Sequence, residues 1–251
     1  MTKTVSLKEF HDPVAGSLQS TLVSACRILA MEGHAAGLAG QITVRDGSSS
    51  RMHTLKLGVG LEEAGEEGIL LVDEELNTLQ GQGIANPGTR FHSWIYRHHP
   101  AVTAIVHTHP PALSALSMLG IPMPVAHMDA CMFYEDCGFL DRWPGVPTGD
   151  EEGHLIAGVL AGRKTAFLVN HGCVCTGSTL QEAIYLNVFA ERNARNCLSA
   201  MAVGPLQAIE PAAAKEAHDF LLQKSIVTAT FSYWARQADR RYGAGVSDLV
   251  G

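Results

Sequence analysis

The residues best suited to chemistry in this chain are His107 and His109, in AIVHTHPP (104–111), where an apolar run ends in His-x-His and a double proline. In an extended strand residues i and i+2 point to one face, so the two imidazoles project side by side while Thr108 faces the other way. Two ring nitrogens placed like this can share one metal ion. Pro110 and Pro111 cannot continue a central strand, which puts both rings at the strand's end, where a pocket can open. His171 ends a second apolar run, KTAFLVNHG, so two strand ends can converge on one point. Three neutral imidazoles with an open position are the ligand set of a catalytic zinc or a similar divalent ion, whereas structural zinc is usually closed by four ligands, commonly including cysteine. Spacing alone leaves a second reading open, a pH-sensitive or hydrogen-bonded histidine pair without metal. Cys173 and Cys175 are a softer i, i+2 pair with no CxxC partner, and are expected in the core.

The elements that must position these histidines follow from periodicity. Leu18 to Met31 carries apolar residues at helical spacing and is followed by Gly33, a helix with a glycine stop. GLAGQITVRDG (37–47) is a glycine turn leading into an alternating strand, with Ile42 and Val44 inward and Thr43 and Arg45 outward. Strands are expected near Thr54 to Leu57 and at GILLVDEE. TRFHSWIYRHHP is a helix with Phe91, Trp94, Ile95 and His98 on one face, ended by Pro100. The His-x-His strand comes next, then a short helix with proline in its first turn, then a strand at MPVAH. After NHG, Thr179-x-x-Glu182 is a capping box that opens a long amphipathic helix to about Met201. Residues 211 to 238 are helical, and the tail DRRYGAGVSDLVG is loose. Strands with intervening helices and hairpin turns imply a single α/β domain with a mixed or antiparallel sheet.

The whole chain sets bounds on its partners. With 251 residues and 46% apolar residues it can bury a large core. A net charge of -7 with scattered lysines and arginines argues against nucleic acid. No stretch is apolar enough to span a bilayer, and MTKTVSLKEFHDPV lacks a signal-peptide core, so a cytoplasmic location without membrane partners is expected. The six cysteines are expected as reduced, mostly buried thiols.

Three motifs in order, GLAGQITVR, VHTH and VNHGCVCTGSTLQEA, give the chain a resemblance to the class II aldolase/adducin family over about residues 15 to 205. The resemblance implies one domain over 1–251, with its core at about 15–205 and a C-terminal helical extension at 206–240. It implies a three-layer α/β/α sandwich with a mainly antiparallel central sheet, and a homotetramer with active sites at subunit interfaces. Carried over residue by residue, His107, His109 and His171 are the metal ligands. Family enzymes include sugar-phosphate aldolases, epimerases, decarboxylases and a dehydratase, while adducin has lost catalysis, so the family identifies the site better than the reaction.

This chain departs from the sugar-phosphate aldolases at several points. They carry an acidic base about nineteen positions before the first metal histidine, where this sequence has Gly88. Their phosphate-binding Gly-Asn turn, Thr-Pro-Ser-Gly loop and Ser-Ser pair correspond to Gly40-Gln41, GVGLEEAGEEG and Asn86-Pro87. An acidic loop near the substrate would repel phosphate, so an unphosphorylated substrate is inferred, with Gln41 and Asn86 as binding residues. A tyrosine proton donor of some relatives falls after His127, where this chain has Met128. In HMDACMFYEDCGF, Glu135 and Tyr134 are the preferred replacement base and proton donor, and His127 is a further substrate-binding candidate. The expected activity is a divalent-metal-dependent carbon–carbon lyase, an aldolase or decarboxylase acting on an oxo or hydroxy acid through a metal-stabilised enolate. Zinc is the first choice, with manganese, cobalt or iron as alternatives. A non-haem iron oxygenase on the same three histidines and a non-catalytic adducin-like binding protein are the competing readings.

Overall fold

The computed structural model describes residues 16–243 apart from 48, 144, 147 and 148. The signal-peptide reading of the first residues and the end of the loose tail lie outside them. Eight strands form one sheet among the described residues, in the order β4-β3-β2-β1-β5-β8-β7-β6. They are β1 (Gln41–Arg45), β2 (Met52–Leu55), β3 (Ile69–Val72), β4 (Thr78–Gln80), β5 (Ala104–Thr108), β6 (Cys137–Leu140), β7 (Thr165–Leu168) and β8 (Gly172–Gly177). Every neighbouring pair is antiparallel except β6 with β7, which is parallel. The strand that carries His-x-His, β5, lies between β1 and β8, and all five of its residues are buried.

Helices cover both faces. On one face α1 (Leu18–Met31), α3 (Pro111–Ser117), α5 (Leu180–Met201), α6 (Pro211–Leu221) and α7 (Lys224–Tyr242) pack over Ile42, Val44, Ala104, Val106, Cys173 and Cys175. On the other, α2 (Arg90–His98) and α4 (Asp150–Leu160) pack over Met52, Leu70, Ile105, Ala166 and Val174. This is a three-layer α/β/α sandwich. Because both faces are covered, Thr43 is fully buried rather than outward, and its hydroxyl bonds to His92 Nδ1 at 2.8 Å and Tyr96 Oη at 2.9 Å.

The helix ends follow their sequence signals. Ser17 caps α1, and Thr179 accepts from Glu182 N to open α5, although the Glu182 carboxylate accepts from Ser178 N instead of Thr179 N, so only half of the expected box forms. Pro111 starts α3, as the missing N–H allows. Other expectations need correction. MPVAH is no strand: Pro122 and Pro124 have no N–H for a ladder, and Val125 O accepts instead from Ile209 N. The inward face of α2 is Phe91, His92, Ile95 and Tyr96, while His98 is exposed and Trp94 packs on His154 of α4. The sequence pattern does not reveal that packing, because it signals neither α4 nor the strands β4, β6 and β8. β2 begins two residues before the expected Thr54. Residues 211 to 238 form two helices, and helix α7 runs on through Asp239–Tyr242, the start of the tail expected to be loose. Among the described residues no helix is long and apolar enough to cross a membrane.

Candidate metal centre

His107 is the last but one residue of β5 and projects toward α2, where its ring meets Phe91 edge-on at 5.3 Å. Its Nδ1 donates to the Cys173 carbonyl of β8 at 2.9 Å. That bond holds the ring and leaves Nε2 with a free lone pair. His109 stands just past the strand, with Nε2 2.8 Å from His107 Nε2. His171 lies in the turn between β7 and β8, its ring 4.8 Å from that of His107 and 4.5 Å from that of His109. The three ligand atoms all lie within 4.8 Å of one another.

The turn is held by a few specific contacts. Asn170 takes the left-handed conformation at φ 55°, which asparagine tolerates. Ser117, the last residue of α3, accepts Asn170 N on its carbonyl and His171 N on its hydroxyl, each at 3.1 Å. Gly172 must lack a side chain, since a Cβ there would sit 2.6 Å from Thr108 O and 3.3 Å from His109 Cδ2. The Asn-His-Gly motif therefore sets the turn, supplies a ligand and lets β8 approach β5 closely.

On the opposite face, Thr108 anchors the strand. Its hydroxyl donates to Asn187 Oδ1 at 2.7 Å and lies 2.9 Å from His34 Nδ1, all three residues being fully buried. Beyond His109, the buried Glu191 carboxylate accepts Ala112 N at 3.2 Å and Leu113 N at 2.7 Å, capping α3 from α5. The His-x-His segment is thus fixed on both sides by polar groups that sequence reasoning missed. The available signal was Asn187 and Glu191 at helical spacing with the apolar face of α5, where an uncharged apolar residue would be the default.

The site is electrostatically suited to a cation. Burial, and then the neighbouring His171 and His109, hold His107 well below the ordinary histidine range. Burial pushes His171 down to about 3 and lowers His109. All three rings are neutral near pH 7, the form that binds a metal. Nitrogens bound at about 2.0–2.1 Å to one tetrahedral ion lie about 3.4 Å apart, so rings with one pair of nitrogens at 2.8 Å and all pairs within 4.8 Å need only small rotations. The group fits a divalent ion.

Gln41 is paired with His107 across β1 and β5. Its Oε1 is buried without a partner. Gly88 lies beside it, and a Cβ at 88 would come within 2.9 Å of Gln41 Nε2, so the amide occupies the space that a side chain at 88 would need. Asn86 is close, but Oδ1 accepts Gly88 N and Nδ2 donates to Leu38 O. The three stretches aligned with phosphate-binding motifs do meet: Gly37–Ile42, Thr54–Val59, Leu61 and Asn86 line one cavity of about 30 Å³. The acidic side chains of the intervening loop do not line it, and Glu63 instead caps Gly60 N at 2.9 Å, so the repulsion of phosphate expected from that loop does not arise from the cavity wall.

The remaining expected residues are not brought to the histidines within one chain. Tyr134 and Glu135 precede β6, and the parallel register pairs Cys137 with Thr165 and Leu140 with Leu168. They therefore sit at the start of β6 and β7, while His171 follows the end of β7, about 10 Å away along the strands. Glu135 is exposed at φ 56°, and Asp136 is bound to Lys164 and His218. His127 is half exposed and accepts from Asp129 N at the start of a 3-10 turn. The side chain found instead is Trp143, 45% exposed, its ring edge-on to His171 at 4.8 Å. It follows β6, so nothing in the sequence placed it at the site.

The chain is similar to several known proteins. An aldolase from Rhodospirillum rubrum, for 5-methylthioribulose-1-phosphate and 5-deoxyribulose-1-phosphate, is 30% identical over 175 residues, 70% of this chain and 77% of its own. A decarboxylase from Streptomyces niveus is 32% identical over 152 residues, 59% of this chain and 56% of its own. A 4-hydroxy-3-prenylphenylpyruvate oxygenase/4-hydroxy-3-prenylbenzoate synthase from Streptomyces roseochromogenus matches at 32% over 152 residues, 59% of this chain and 55% of its own. The solved L-fuculose 1-phosphate aldolase of Glaciozyma antarctica superposes with a TM-score of 0.82 at 28% identity, covering 93% of this chain and 95% of its own. The family model for the class II aldolase and adducin N-terminal domain matches residues 20–198, which include every strand and all three histidines, and the chain belongs to that family.

Proposed function

We propose that the protein is a divalent-metal-dependent carbon–carbon lyase, an aldolase or decarboxylase acting on an unphosphorylated oxo or hydroxy acid. The observation that carries this reading is the convergence of His107, His109 and His171 as neutral imidazoles. Zinc is the preferred ion. When bound, it supplies a Lewis acid for the negative charge left as a carbon–carbon bond breaks. The chain's own residues orient that chemistry: Cys173 O fixes the His107 tautomer, and Gln41 offers an unpaired acceptor to a substrate hydroxyl.

Gly88 supplies no base. Carbon dioxide departs without a proton being taken from a hydroxyl, so the missing acid favours decarboxylation over aldol cleavage. Tyr134, Glu135 and His127 keep their proposed roles only as groups delivered by a neighbouring copy, in a homotetramer with sites at its interfaces. Asn86 is retained as a wall of the substrate site. A cytoplasmic location completes the reading.

The oxygenase relative from Streptomyces roseochromogenus supports a second reading, a non-haem iron oxygenase using the same histidines. Turnover of a panel of oxo and hydroxy acids by the zinc- and iron-loaded protein, with and without oxygen, separates the two. The lyase turns over equally in both atmospheres, and strict dependence on oxygen and iron would replace it with the oxygenase.

A further inference from the structure

The cavity lined by Gln41, the strand partner of His107, has one charged residue in its lining, and the fold makes no use of its charge. The β1–β2 register ends at the Thr43–Thr54 pair, and the residues just past it on the two strands, Gln41 and Lys56 among them, line the cavity, while the β1–β5 register pairs Gln41 with His107. β1 lies between β2 and β5, so the cavity joins Lys56 at the end of β2 to Gln41, the strand partner of His107. Lys56 and Gln41 both line the cavity of about 30 Å³, and no lining residue is acidic. Gly83 lies against the Lys56 stem, where any side chain would come within 3.4 Å of Cδ. Lys56 is partly buried, and its ammonium has neither an ion pair nor a hydrogen bond among the described residues. An unpaired cation at a cavity with no acidic residue in its lining points to an anionic group on the ligand.

We propose that Lys56 is a specificity-determining residue that binds a carboxylate of the substrate remote from the end held at the three histidines. The preferred substrate is then an oxo or hydroxy acid with a second carboxylate. β2 and β5 lie two strand spacings apart, so the Lys56 and His107 backbones are separated by about 10 Å or more, and a chain of several carbons joins the two ends. A carboxylate suits the site better than phosphate. Phosphate is best held by several convergent charged or amide side chains, and Asn86 has already committed its amide to Leu38 O, leaving Lys56 and Gln41 as the charged and amide side chains of the lining.

The proposal rests on the oxo-acid reading, and a pair of ligands tests the two separately. Binding of 2-oxoglutarate and 2-oxopentanoate to the zinc-loaded full-length protein is measured by calorimetry; the two share the oxo-acid head and differ in the second carboxylate. Wild type should bind 2-oxoglutarate at least tenfold more tightly. Lys56→Met should bind both equally while keeping its zinc, and Lys56→Arg should retain most of the preference. Equal binding by wild type, or an undiminished preference in Lys56→Met, would overturn the role of Lys56 while leaving the oxo-acid reading intact. Failure of both ligands to bind would overturn both. Inorganic phosphate binding more tightly than 2-oxoglutarate, in a manner lost in Lys56→Met, would assign the cation to a phosphorylated substrate instead and overturn the proposal.

Discussion

His92 makes the acid stability of this fold predictable. It is fully buried on α2, its Nδ1 meets only the Thr43 hydroxyl, and its Nε2 is unpartnered. Burial alone pushes it down to about 3 from the ordinary 6.5. A histidine whose folded pKa is depressed contributes stability that is present above the unfolded pKa and lost as pH falls toward the folded one, because the unfolded chain takes up the proton first. Between about pH 7.5 and about pH 5 the unfolded His92 becomes protonated in roughly 30 molecules for each that is not, which removes about 2 kcal/mol of stability. His34, also buried and pushed down to about 3, adds a similar loss. The check is urea denaturation of metal-free wild type and His92→Leu at both pH values. The variant cannot titrate at position 92, and Thr43 keeps its bond to Tyr96, so cavity and packing costs cancel when each protein is compared with itself. Wild type should lose about 2 kcal/mol more than the variant across the window. Equal losses would refute the argument, because His92 would then reach its proton in the folded state.

Other substitutions test the supports of the site. Thr108→Val leaves Asn187 Oδ1 and His34 Nδ1 buried without their partner and should cost about 2–4 kcal/mol by denaturation, with weaker zinc binding, whereas a loss below about 0.5 kcal/mol would show that the network is not needed. Glu191→Ala uncaps α3 immediately after His109 and should cost about 2–4 kcal/mol, seen as a lowered urea midpoint; an unchanged midpoint would show that water replaces the carboxylate. If neighbouring copies share sites, an inactive Glu135→Gln variant mixed with an inactive His107→Ala variant should regain part of the oxo-acid turnover. No recovery after subunit exchange would remove Glu135 from the site.

The sequence made some parts of this molecule legible because their physics is local. Leu18–Met31 and Leu180–Met201 declare themselves by period and cap, and Pro110-Pro111 announces both the end of β5 and the start of α3. The i, i+2 rule placed His107 beside His109, while convergence of His171 depended on the β7–β8 turn reaching β5, a long-range pairing supplied by motif order rather than by spacing. What was missed is non-local. Thr43 was read as outward because one strand cannot reveal that α2 covers its second face. Glu135 was close to His127 in sequence, but β6 carries the chain the length of the sheet before it returns near His171. Lys56 carries no signal in the sequence, because only the fold brings it to the same cavity as Gln41.

The most direct test of the metal centre is ion content. Protein freed of metal by chelation and titrated with zinc should bind one ion per chain, releasing protons little above pH 7 because the three rings are already neutral. The His107→Ala/His109→Ala double variant should bind none at this site. A full complement of zinc in that variant would contradict the three-histidine assignment on which the functional account stands.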